Sequence, residues 1–121
     1  MDEMLKIVMV EPGKPAYAAE IPNTLEAEQK AVQGLIDLVY LEDDAILVCN
    51  DEGKLIGMEG NRRLGNGTVI AGPFFIVGDG GENSCSLTDD QVNHFLERFA
   101  EPEQIPQAEV QADVGFLFFT F

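Results

Sequence analysis

The sequence predicts an α+β fold: a largely antiparallel, curved sheet of about six to eight strands with two helices, ordered ββαβββββα, plus a C-terminal strand. Three observations predict it. Short apolar segments recur between Met4 and Val77, bounded by turn residues such as Glu11-Pro12-Gly13 and Asn50-Asp51-Glu52-Gly53. Only two helix signatures interrupt them, too few for a sheet whose parallel strands each need a crossover helix. A length of 121 residues with 45% apolar content suits one domain with its own core. Residues 1–103 are expected to form that domain, and 104–121 an acidic linker with an apolar strand.

Met4 to Val10 reads as a mostly buried strand, turned by Glu11 to Pro15 into a hairpin partner over Ala16 to Ile21. Asn23-Thr24-Leu25-Glu26 reads as a helix start with Asn23 as cap, and Gly34 as the left-handed stop. Ile36 to Leu41 alternates as a strand, with Glu42-Asp43-Asp44 as its turn. Ala45 to Cys49 is an unbroken apolar run, expected at the centre of the sheet. Lys54 to Gly57 is expected to pair back as a hairpin arm, followed by a polar, glycine-rich loop over 60–67. Thr68 to Ala71 and Phe74 to Val77 complete the strands of the domain.

Thr88 and Gln91 have the spacing of a capping box, with Leu87 and Val92 placed as a hydrophobic staple. Val92, Phe95, Leu96 and Phe99 follow on one helical face. Glu101 to Pro106 has linker composition. Residues 114–121 carry four phenylalanines, and this segment is expected to add a strand to its own sheet or to a second subunit in a homodimer.

Acidic side chains number 22 against 7 bases, for a net charge of −15. That balance disfavours direct binding to nucleic acid or to an anionic membrane surface, both of which need a basic footprint. It suits a solvated surface that repels its own copies or, more sharply, a partner that favours negative charge, either a basic protein or a cation. No segment is apolar enough to span a membrane, and the acidic start Met1-Asp2-Glu3 does not read as a signal, so a cytoplasmic location is expected. Two distant cysteines and one histidine make neither a disulfide framework nor a metal site, and no cofactor motif is found.

One segment stands out. Asn61-Arg62-Arg63 holds two of the three arginines, adjacent in an expected loop. A guanidinium there suits an anion or a partner carboxylate, bound bidentately, with Glu11, Asn50 and Asp51 in neighbouring turns to orient it. Pairing with surface carboxylates is the plainer alternative.

Val10-Glu11-Pro12-Gly13-Lys14-Pro15, Asn23-Thr24-Leu25, Val48 to Leu55, Asn61-Arg62, Ile70 to Gly78 and Ser86-Leu87-Thr88-Asp89 together resemble the family known as domain of unknown function 3846. The resemblance covers residues 4 to about 103. It implies no activity, substrate or catalytic residue. It does imply a setting in Firmicutes, their mobile elements and phages, where small acidic proteins modulate DNA-binding proteins. The expected function is therefore a non-enzymatic acidic module that binds a basic protein, with DNA mimicry as one form. The alternative is a small-molecule or anion binder using Asn61, Arg62 and Arg63.

Overall fold

The computed structural model describes residues 3–118. Strands β1 (Met4–Val10), β2 (Tyr17–Pro22), β3 (Ile36–Leu41), β4 (Ala45–Asn50), β7 (Phe74–Asp79) and β8 (Ser84–Cys85) form one antiparallel sheet. Its main path runs β2-β1-β7-β4-β3, with β8 on β7. β5 (Gly60–Arg63) and β6 (Val69–Ala71) form a separate two-stranded sheet. Helices α1 (Leu25–Val32), α2 (Asp89–Arg98) and α3 (Gln107–Phe118) complete the α+β fold.

The sheet has a core on each face. Val8, Val10, Leu47, Phe74 and Ile76 meet Leu87, Val92, Phe95 and Phe99 from α2 and its flanks. Leu5, Ile7, Val48, Phe75 and Val77 pack with Val32 of α1 on the other. All six residues of β4 are buried, as its unbroken apolar run requires once β7 and β3 flank it. Removing one such side chain costs about 2–5 kcal/mol through lost transfer energy and a cavity.

The α2 start forms as its residues dictate. Thr88 Oγ1 accepts from Gln91 N–H at 3.1 Å, and Gln91 Oε1 accepts from Thr88 N–H at 2.8 Å. At α1 the cap is Thr24, not Asn23: its hydroxyl accepts from Ala27 N–H, because Asn23 is still held by its own N–H to Glu3 O. The left-handed stop is Gln33, with φ of 64°, not Gly34. Gly34 serves space instead, since a Cβ there would stand 2.7 Å from Asn50 Nδ2.

Three expected elements differ. Residues 54–57 turn helically rather than extend. Asn50 Oδ1 accepts from Glu52 N–H, and Ile56 and Met58 N–H donate to Glu52 and Gly53 carbonyls. That side-chain bond offers the backbone a local closure that outcompetes a strand. The segment expected as a loop at Asn61-Arg62-Arg63 is β5.

Up to residue 118 the C-terminal segment forms a third helix rather than the strand expected over 114–121. Residues 119–121 lie outside the described residues. The helix starts where Pro106 precedes Gln107-Ala108-Glu109, good helix formers with an acid in the first turn. Nor is 104–112 a free linker: Ile105 and Val110 are buried with Val69 and Ala71. Gly60 permits this contact, because a Cβ there would come within 2.9 Å of both Ile105 and Val110.

Candidate functional site

Asn61 sits at an irregularity in the β5–β6 register, which turns its side chain inward. Its Nδ2 donates to Val10 O and Gly72 O, each at 2.9 Å. Its Oδ1 accepts from Arg62 Nη1 at 2.8 Å. Arg62 as a whole is 1% exposed. Nη1 also donates to Asn61 O at 3.1 Å, and Nη2 donates to Lys14 O at 2.7 Å and Phe99 O at 2.9 Å. Phe99 lies at the C-terminal end of α2, where a cation is favoured by the helix dipole. One buried cation thus ties together the β1–β2 turn, β5 and the end of α2. Burial pulls Arg62 below its usual guanidinium value, with the charge of Glu103 opposing.

Arg63 points the other way. Its Nε and Nη2 grip both oxygens of Glu109 at 2.7 Å, and Nη1 donates to Glu103 at 3.0 Å. The hydrogen bond from Arg63 holds Glu109 below the usual carboxylate range. This fork pins the first turn of α3 beside β5.

The other sequence-predicted residues are dispersed. Glu11 accepts from Tyr17 Oη at 3.0 Å and pairs with Lys14 at 3.4 Å. Asn50 Nδ2 donates to Val32 O and Gln33 O, closing the end of α1. Asp51 is exposed and donates its N–H to Leu35 O. Among the described residues, no contact joins Asn50 or Asp51 to either guanidinium. Two shallow open grooves of about 530 and 410 Å³ lie elsewhere, one over Lys6, Glu20, Asp89 and Asn93, the other over Glu11, Lys14, Glu59 and Pro73. Neither is lined by Asn61, Arg62 or Arg63.

A second constellation lies at the opposite end of the sheet. Glu42, in the β3–β4 turn, accepts from Arg98 Nη1 at 2.7 Å and stands 3.0 Å from His94 Nε2. Burial pushes Glu42 upward, yet the bonds from His94 and Arg98 outweigh it and hold the carboxyl below its usual value. Asp79 N–H donates to Asp44 O at 2.8 Å, and Gln91 Nε2 donates to Asp43 O at 2.6 Å. These bonds gather three acidic stretches: Glu42-Asp43-Asp44, Asp79 with Glu82, and Asp89-Asp90 at the start of α2. The spacing of His94 and Arg98, four apart on the face of α2 away from its apolar stripe, was the available signal for a carboxylate neighbour.

Residues 5–100 match the family described as Domain of unknown function (DUF3846). The chain belongs to the DUF3846 family. The matched stretch takes in the whole large sheet from Leu5, both of its helices, and β5 with Arg62, while α3 lies beyond it. Comparison with curated proteins and with solved structures gives no match. Among the described residues of this DUF3846 chain, no helix is long and apolar enough to cross a membrane, and no three His, Cys, Asp or Glu side chains converge as a metal site.

Proposed function

We propose that the chain is a non-enzymatic acidic interaction module, of mobile-element or phage type, that binds a basic protein partner. One observation carries this reading: seven carboxylates share one end of the sheet, where they outnumber Lys6, His94 and Arg98, the bases paired with Asp89, Glu42 and Asp43. Glu42 to Asp44, Asp79, Glu82, Asp89 and Asp90 share one end of the sheet, joined through the Asp79–Asp44 and Gln91–Asp43 bonds. Meanwhile Lys14 and Arg63 are paired with carboxylates at the far end, and Arg62 is buried there. A gathered anionic surface raises the local concentration of a cationic partner and speeds its encounter. In its strongest form, the partner is a DNA-binding protein and the carboxylates stand in for phosphates.

The anion-binding alternative gains no support from the geometry, because the paired donors of Arg62 and Arg63 are turned to carbonyls and carboxylates of the chain itself. Affinity capture from a host extract tests the proposal, comparing the wild type with the triple variant Glu42→Gln, Asp43→Asn, Asp44→Asn. Basic proteins should be retained by the wild type, released as salt rises, and lost by the variant. Equal retention by both, insensitive to salt, would overturn it.

A further inference from the structure

We infer that the outer edge of β3 is the docking strand for an extended, basic segment of the partner. This rests on the acidic-module reading and specifies its contact.

Among the described residues, β3 ends the sheet, paired with β4 alone. Asp51 N–H donates to Leu35 O, and β3 pairs Asp37 with Cys49 and Val39 with Leu47. Antiparallel alternation from that bond turns the backbone groups of Asp37, Val39 and Leu41 toward β4. Those of Ile36, Leu38 and Tyr40 turn outward. Leu38 N–H agrees with this, because it donates to Asp37 Oδ1 at 2.9 Å and not to β4. The same three side chains line one face, with Leu38 43% and Tyr40 69% exposed. The strand has neither proline nor lysine; its one charged side chain, Asp37, guards the Leu38 N–H and must swing aside for a partner strand to bond there. β2, the opposite edge, is built differently: it ends in Pro22 and offers Ala18, Ala19 and Glu20 along its length.

Charge selects the occupant. Glu42-Asp43-Asp44 follows one end of the strand, and Asp51 and Glu52 lie beside the other through the Asp51–Leu35 bond. A second copy paired antiparallel about Leu38 would set each acidic turn against the other copy's Asp51 end, and like charges repel. A segment with apolar residues at alternate positions and lysine or arginine at both ends meets the apolar side chains and both acidic flanks. Strand addition would supply main-chain hydrogen bonds, and the pattern would supply specificity.

The test uses the full chain and a synthetic peptide of alternating valine and threonine with paired lysines at both ends. Binding is measured by calorimetry, and amide exchange is followed at Ile36 and Tyr40. Tyr40→Pro removes one outward donor without touching the β4 ladder. Tyr40→Lys keeps the donor and places a cation opposite the peptide's charge pattern. The wild type should bind, slow exchange at both amides, and lose roughly tenfold or more in affinity in each variant. If Tyr40→Pro fails to fold, Tyr40→Lys and the exchange data decide. Undiminished binding by folded Tyr40 variants, with no slowing at Ile36, would overturn the edge as the docking strand. Should that binding still vanish in the Glu42/Asp43/Asp44 triple variant, the acidic reading stands without the edge. No binding by the wild type overturns the edge inference, while capture from host extract judges the broader reading separately.

Discussion

The end of the molecule around β5 and the end around the β3–β4 turn treat charge in opposite ways. At β5, Arg62 is buried against backbone carbonyls and Arg63 is clasped by Glu103 and Glu109. At the β3–β4 turn, Asp43, Asp44, Asp79 and Glu82 are left at or near the surface, with His94 and Arg98 spent chiefly on Glu42. Arg62 and Arg63 therefore fasten the chain to itself at β5, while Lys6, His94 and Arg98 answer only part of the acidic charge at the other end. Sequestering Arg62 leaves the outward charge more negative than a uniform spread of the seven bases would.

The largest expected effect breaks that fastener. Arg62→Ala should lower unfolding free energy by about 3 kcal/mol or more, read by urea denaturation, since several buried carbonyls lose their donors at once. Arg62→Lys should recover only part of it, because an ammonium cannot reproduce the planar fork. Asn61→Ala comes next at about 2 kcal/mol, because it leaves Val10 O and Gly72 O without that amide. Thr88→Ala, which opens the capping box at the acidic end, should cost about 1 kcal/mol by the same measurement. Arg63→Ala should move the midpoint least and instead speed amide exchange in the first turn of α3. A loss as large as that of Arg62→Ala would show that the two arginines are not divided between interior and surface.

The cysteines sharpen the same contrast of interior and surface. Burial, followed by the charges of Asp37 and Asp51, pushes the Cys49 thiol up to about 11, while Cys85 is exposed. Alkylation of the native protein near neutral pH should label Cys85 alone by mass spectrometry, and denaturant should release Cys49. The sign for stability follows: the folded thiol holds its proton above its unfolded value of 9.0, so this contribution is complete below 9.0 and lost as pH rises through about 11.

What could be read in the sequence was local. The Thr88–Gln91 capping box, the staple around it and the buried run of β4 depend on near neighbours and came out as expected. The destination of Arg62 did not, because its acceptors come from Lys14 and Phe99, brought together only by the folded sheet and α2. The exposed edge of β3 was hidden for a similar reason: it is an edge because β5 and β6 pair with each other instead of extending the sheet beyond β3. At the C-terminal end, the apolar run drew attention away from Gln107-Ala108-Glu109, whose helical preference begins α3. At 54–57 the pattern of apolar residues was weaker than the turn set by Asn50.

Mapping backbone amide shifts during titration with the lysine-flanked peptide puts the central division to its most direct test. Changes confined to residues 36–44 and the neighbouring acids at 79–90, fading as salt is added, are the predicted result. Shifts centred on residues 60–63, with β3 unmoved, would contradict it.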